Sequence, residues 1–418
     1  MGFEIYPFFV FFPLTILVAL AVAPREIPRS KVLGYSFFGL GLRVPLMVYL
    51  AHHFPFDDER AYSTFGESIA EALTHQSPNV WEENSFANLT GVLYYLVGPS
   101  EYTVRCFNAA LSIVTAFLLG HIAILLYSEQ RLRDRVLRWS MFAPPVMFIS
   151  VLGLKEQLVA TLVVVMVHGF TIGRVGGFAY LFGSAILLYI FRQDLALLLI
   201  PVTLFFATVK VFGVTKSTQL RALTAVVCAI GIVTAIVVRG YESEKLEDSK
   251  MLAILKGADT RGEEELLGSG ATYARFLDPN SPGSTLNLLI PPIHSLFSPS
   301  PFQILTSPDE FVVVLTLFIT IFTYWGTPYL LIAIGRLALK LPDNYILAVY
   351  GVIYLSAAYS ILTAAPEPFR YRWPGIPLLT FIVAVGRYMP WRFRVHIVRG
   401  WWLAAAAFGY VYLKSYRG

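Results

Sequence analysis

The chain has 418 residues, of which 56% are hydrophobic and only 14% charged, with a mean hydropathy of +0.63. Soluble domains carry roughly 25% charged residues, so a soluble enzyme of this size is excluded. The net charge is +5, but the cations fall in short clusters between apolar runs and form no basic stripe with interleaved aromatics, which excludes a nucleic-acid partner.

The first apolar run, residues 5–23, lacks a basic leader and a small-residue cleavage site, so it reads as a retained span. Arg25, Arg29 and Lys31 follow it, and residues 32–51 form a second span that contains Arg43. Arg43 is unusual there; pairing with a carboxylate inside the bundle, in a structural role, is the expectation. A polar stretch, 52–100, reads as the first external loop. A third span, 102–127, precedes the basic run Arg131, Arg133, Arg135 and Arg138. Runs 139–153 and 157–172 form a hairpin around Lys155-Glu156, and runs 178–191 and 195–211 form another around Arg192 and Asp194. Then come 220–238, a long polar loop at 239–308, and four further runs at 311–334, 345–364, 374–388 and 401–413.

With about 20 apolar residues needed per crossing, the expected fold is all-α: a polytopic transmembrane helical bundle of about twelve spans. It reads as one integral-membrane domain over residues 1–418. The two cysteines, Cys106 and Cys228, sit in apolar runs and imply neither a disulfide nor a thiolate metal site. With the N-terminus outside, seventeen Lys and Arg lie in the cytoplasmic segments, against eight outside once the long loop is set aside.

That orientation collects the informative charges at one rim: Asp57, Asp58 and Glu59; Lys155 and Glu156; Arg192 and Asp194; Glu367, Arg370 and Arg372. The bland reading of any one pair is interfacial anchoring. Four clusters on one face fit a single anionic site instead. The run from Asp57 opens an amphipathic helix whose Asp58, Tyr62, Phe65, Ile69 and Leu73 share one face and would rest on the membrane interface. Three adjacent carboxylates repel, which raises at least one pKa and suits a general base. The plainer alternative is an acidic first turn that favours the helix dipole. A divalent cation on Asp57, Asp58 and Glu59 is a further reading. Arg370-Tyr371-Arg372 has the guanidinium forks that hold phosphate, and its flanking aromatics equally fit an interface belt.

The pattern Asp58-Glu59-x-x-Tyr62 followed by Ala70-x-x-Leu73 resembles the integral-membrane glycosyltransferases of the GT-C class, such as the protein O-mannosyltransferases and lipid A aminoarabinose transferases. Leu96-x-Gly98-Pro99-Ser100, Arg105, Asn108, Lys155-Glu156, Arg192 and Arg370-Tyr371-Arg372 extend the resemblance over roughly residues 35–210 and 345–388. The 239–308 loop carries no motif of that class.

The resemblance implies an inverting transfer from a polyprenyl-phosphate-linked sugar donor to a glycan, lipid or protein acceptor. It makes Asp58 or Asp57, with Glu59 beside them, the candidate base. It makes Lys155, Arg192, Arg370 and Arg372 the donor-phosphate ligands, supported by Glu156, Asp194, Tyr62 and Arg105. No cofactor is implied. The setting would be a bacterial or archaeal plasma membrane, among membrane lipids, with the active site on the non-cytoplasmic face. Rival readings are an O-antigen-type polymerase or ligase and a lipid or solute transporter.

Overall fold

Backbone polar groups in hydrocarbon must be satisfied within their own segment, and helices do this. In the computed structural model, which describes residues 5–54, 56–77, 81–173, 175–212, 313–314, 316–337, 341–360, 368–388 and 394–417, the chain is all-α. The expected span at 220–238, the 239–308 loop, Cys228 and Glu367 lie outside the described residues.

Among the described residues there are fourteen α-helices and no strand. They are α1 (Tyr6–Val22), α2 (Arg29–His53), α3 (Asp57–Thr74), α4 (Ser85–Val97), α5 (Glu101–Leu126), α6 (Gln130–Phe142), α7 (Pro144–Ser150), α8 (Glu156–Ile172), α9 (Val175–Phe191) and α10 (Gln193–Phe212). After them come α11 (Ile321–Leu337), α12 (Leu341–Ser360), α13 (Ile376–Tyr388) and α14 (Arg394–Arg417). A π-helical turn, Thr316–Thr320, leads into α11, and a 3₁₀ turn, Pro368–Gly375, leads into α13.

Among the described residues, four segments are long and apolar enough to cross a membrane: α2, α5, residues 193–210 of α10, and 317–334 through the π-turn and α11. Five shorter apolar helices, α1, α4, α8, α9 and α12, accompany them. Their outward surface is apolar as well: Phe9 is 74% exposed, Leu17 65% and Phe37 74%, and Leu403 on α14 is 73% exposed. Water would not tolerate so continuous an apolar exterior; these are the features of an integral membrane protein.

The central column is α5, which packs on α1, α2, α6 and α8. Small residues allow the closest approaches elsewhere. A Cβ at Gly169 would meet the Gly177 carbonyl oxygen at 2.5 Å, so α8 and α9 pack backbone to backbone.

Arg43 is fully buried, yet no carboxylate faces it among the described residues. Its Nε donates to Ser150 Oγ at 2.8 Å, Nη1 to the Gly39 carbonyl at 2.8 Å, and Nη2 to Ser112 Oγ at 2.8 Å and the Met141 carbonyl at 3.0 Å. The expected carboxylate pair is therefore replaced by hydroxyl and carbonyl dipoles from α2, α5, α6 and α7. The structural role stands, with dipoles in place of a counter-charge.

Two expectations need correction. The apolar run 139–153 is not one helix. It is split between α6 and α7 at Ala143, whose backbone is extended (φ −61°, ψ 134°), with Pro144 opening the next helix. The residue before proline is driven out of the α region, while proline fits the first helical position. The basic run Arg131–Arg138 belongs to α6.

The stretch 52–100 holds two helices, not one. Asn84 caps α4, its Oδ1 accepting from Phe86 N at 3.0 Å and Ala87 N at 3.4 Å. α3 packs its Tyr62, Gly66, Ile69 and Ala70 face on α4. Of the expected apolar face, Tyr62 and Ile69 are buried on α4, while Phe65 is 44% exposed. The cause is the crossing: a Cβ at Gly66 would meet Thr90 Cγ2 at 2.7 Å, and one at Gly91 would meet Ile69 Cβ at 2.5 Å.

Candidate functional site

The site lies where the N-termini of α3, α5 and α8, the α9–α10 junction and the 3₁₀ turn meet. Its placement begins with α5. Arg105 Nη1 donates to the Val151 carbonyl at 3.0 Å, and Asn108 Nδ2 donates to the Leu152 and Leu154 carbonyls at 2.6 and 2.8 Å. These bonds satisfy the carbonyls of the turn between α7 and α8, which would otherwise be buried and unpaired. The turn in turn presents Lys155 and Glu156. Glu156 occupies the first turn of α8, where a negative charge suits the helix dipole.

The start of α3 is fixed by Glu59. Arg105 Nη2 donates to Glu59 Oε2 at 2.5 Å, and the Gly153 amide donates to Glu59 Oε1. Burial pushes the Glu59 carboxyl above the usual carboxylate range, against the opposing pull of Arg105. The expected elevation thus falls on Glu59 and comes mainly from desolvation, not from adjacent carboxylates. Both carboxylate oxygens are engaged, so Glu59 and Arg105 tie α3 to α5 and to the α7–α8 turn.

Asp58, one residue earlier, faces a cavity of about 580 Å³ lined by Asp57, Asp58, Tyr62, Lys155, Glu156, Arg192, Asp194 and Arg370, with Phe56, Phe191 and Gln193 completing the wall. Arg370 Nη2 donates to Asp58 Oδ2 at 2.8 Å and lies 3.4 Å from Glu156 Oε1. Arg192 lies 3.8 Å from Glu156 Oε1 through Nη1, and 3.4 Å from Asp194 Oδ1 through Nε. Glu156 is 3% exposed, and its Oε2 has no hydrogen-bond partner among the described residues. It is the buried hub between two arginines. Lys155 on the same wall has its pKa lowered, first by burial and then by Arg192. Tyr62 is pushed up to about 12 by burial and by Glu156 and Asp58, so it stays a neutral hydroxyl.

Seven of the residues singled out from the sequence therefore share this cavity with Asp57: Asp58, Tyr62, Lys155, Glu156, Arg192, Asp194 and Arg370. Asp57 itself is the outermost, its side chain fully exposed and 3.9 Å from Arg60. Arg372 does not join them. It lines a separate small void with Thr323, Thr327, Tyr350 and Tyr354, where burial lowers its pKa. On a 3₁₀ turn, two residues' separation does not put two side chains on one face.

The proposed cation triad also fails to converge, because the Glu59 oxygens are already taken. Among the described residues no three His, Cys, Asp or Glu side chains are grouped to hold a metal ion. Sequence reasoning missed Phe56, whose ring lies 5.6 Å from the Arg370 guanidinium carbon, and the Gly153 amide. Neither carries a sequence signal: a lone aromatic and a backbone N–H acquire a role only through contact. Comparison with protein families, curated proteins and solved structures finds no match to this chain.

Proposed function

We propose that the chain is a membrane glycosyltransferase of the GT-C type, moving a sugar from a polyprenyl-phosphate donor to an acceptor hydroxyl on a glycan, lipid or protein. In this reading it crosses the membrane about twelve times, roughly 20 residues per crossing. The site then opens on the non-cytoplasmic face of a bacterial or archaeal plasma membrane, as the seventeen-to-eight cation bias favours.

The observation that carries the reading is the juxtaposition of Asp58 with Arg370, Arg192 and Lys155 around one cavity. Four carboxylates, Asp57, Asp58, Glu156 and Asp194, stand among three cations on a pocket large enough for a phosphosugar. Glu156 keeps two of the arginines together while no substrate is present. Donor phosphate displaces Asp58 from Arg370, which leaves the carboxylate unpaired at the moment it is needed. Asp58 then takes the proton of the acceptor hydroxyl. The hydroxyl oxygen bonds to the anomeric carbon, and the bond from that carbon to the phosphate oxygen breaks with its electron pair leaving on the phosphate. Lys155, Arg192 and Arg370 stabilise that growing charge. The configuration inverts because attack comes opposite the leaving group. No cofactor enters the step.

A solute transporter concentrates polar groups near the midplane, whereas these charges gather at helix ends. The test is sugar transfer in proteoliposomes supplied with polyprenyl-phosphate sugars, comparing wild type with Asp58→Asn and Asp57→Asn. Loss in Asp58→Asn alone, with prenyl-phosphate binding intact, is the expected result. Full activity in both variants and in their combination would remove the carboxylate base and favour the polymerase or ligase reading.

A further inference from the structure

The end of the bundle away from the Asp58 cavity holds another arginine cluster. α13 starts after the 3₁₀ turn that carries Arg370, and Arg387 in its last turn lies roughly 20 Å further along. Gly386 sets this turn against α11: a Cβ there would meet the Tyr329 carbonyl carbon at 2.9 Å, so the two backbones touch. The Arg387 guanidinium carbon is 4.7 Å from the centre of the Trp325 ring, 5.6 Å from that of Tyr388 and 5.7 Å from that of Tyr329. Arg135 of α6 lies 3.8 Å from Tyr388, and Arg394, the first residue of α14, lies 5.7 Å from Tyr329. Each of these two arginines thus shares a ring with Arg387. The rings are themselves held in place: Trp325 is 5.0 Å from Tyr329 and stacks at 4.8 Å on Trp139.

No acid balances these three cations. Among the described residues, Arg135, Arg387 and Arg394 form neither an ion pair nor a hydrogen bond. Asp134, the acid next to Arg135, is taken by Lys31, whose Nζ is 3.3 Å from both its oxygens. Glu129, at the N-cap of α6, is exposed and pairs with none of the three. Arg394 also stands in the first turn of a helix, where positive charge opposes the dipole. Arg192 and Arg370 differ in having carboxylates at hand. Contact through ring faces leaves the edges of a guanidinium, with their N–H donors, available. Phosphate oxygens match those edges bidentately.

We propose that this cluster binds the headgroup phosphate of an anionic membrane phospholipid. The surroundings favour a lipid over a soluble phosphate. Trp and Tyr rings gather at headgroup level, and the surface leading away from Arg394 is apolar. Val395, Trp402, Leu403 and Tyr410 share one face of α14 and are 46–73% exposed. Trp401 Nε1 donates to the Tyr324 carbonyl at 2.9 Å and ties α14 to α11. A phosphate held by Arg394 and Arg387 therefore leaves its acyl chains against that face, as in other basic pockets between spanning helices. The proposed topology puts this end on the cytoplasmic side. The site does not depend on the transferase reading.

The test is native mass spectrometry of the full chain in a neutral detergent, with three probes: dioleoyl phosphatidylglycerol, dioleoyl phosphatidylcholine and glycerol phosphate. The wild type should hold phosphatidylglycerol about tenfold or more tightly than phosphatidylcholine, since each cation at the headgroup adds to the attraction. Arg387→Gln and Arg394→Gln should each cut that preference several-fold. Arg387→Lys should retain only part of it, because an ammonium lacks the fork. Changing Arg131 and Arg138 together to Gln removes two exposed cations of α6 that lie outside the ring cluster, and should leave the preference unchanged. If Arg387→Gln folds poorly, Arg394→Gln at the start of α14 decides the case. Equal binding of the two lipids, an equal loss in the Arg131 and Arg138 double variant, or full preference in both Arg387→Gln and Arg394→Gln would overturn the site. Glycerol phosphate bound as tightly as phosphatidylglycerol would overturn the lipid assignment and leave a site for soluble phosphate.

Discussion

Two arginine networks in this protein differ in their partners: one is held by neutral dipoles, the other by shared carboxylates at a cavity. Arg43 is completely buried, and its hydrogen bonds go to hydroxyls and carbonyls: the Gly39 carbonyl of its own helix, and Ser112, Met141 and Ser150 on three neighbouring helices. Arg370 and Arg192 instead share a carboxylate, Glu156, whose second oxygen has no hydrogen-bond partner among the described residues, at the edge of a cavity of about 580 Å³. A closed network fixes helices. An open network with surplus carboxylate and cation can exchange partners when an anion arrives. Between the two lies Glu59–Arg105, charged like the second and closed like the first.

The largest effect should come from the open network. Asp58→Asn is expected to lower the transfer rate about 10²–10⁴-fold, the range of a general base, without changing thermal unfolding. A comparable loss of stability in this variant would move Asp58 into the class of Arg43. Next, Arg43→Ala should destabilise by about 3 kcal/mol or more. It strips a charged donor set from Ser112, Ser150 and the Met141 carbonyl at once. Folded yield and unfolding in detergent measure this, and a fully stable Arg43→Ala protein would show that the network is dispensable.

Smaller, but still structural, is Gly91→Ala. The added methyl would enter the space of Ile69 and push α3 away from α4, costing about 1–3 kcal/mol by overpacking. If α3 carries the base, transfer should fall more than stability does. Unchanged transfer in a measurably destabilised protein would separate α3 from the chemistry.

The smallest expected effect is a pH shift. Burial and Arg192 lower the Lys155 pKa, so its charge is lost at lower pH than that of an ordinary lysine. The folded state favours the neutral amine, and the stability it costs is recovered as pH rises through the lowered value. Phosphate affinity moves the opposite way, falling as that charge disappears. Prenyl-phosphate binding should therefore weaken on the alkaline side in the wild type, and hold to higher pH in Lys155→Arg. Identical profiles would remove Lys155 from the phosphate site.

Much of this was readable in the chain. The apolar runs at 5–23, 32–51, 102–127 and 157–172 lie within or close to α1, α2, α5 and α8, because a bilayer-length helix needs little beyond composition. The acidic triplet at 57–59 became a helical first turn for the same local reason. α4 was hidden because its apolar residues sit in a stretch whose ends are polar. The break at Ala143 was signalled by Pro144-Pro145, but the apolar run hid it.

Sequence by itself determined the all-α, membrane-type character of the protein and the approximate ends of several of its apolar helices, since these depend on composition, period and local caps. Only the tertiary structure decided that Asp58 faces the cavity while Glu59 turns to Arg105, and that Arg370 reaches the cavity while Arg372 does not. Only it revealed that Arg43 is paired with dipoles and not with an acid. Adjacent residues on a helix project about 100° apart. Which of them meets a partner is therefore set by where distant helices cross, and that is not written in the residues themselves.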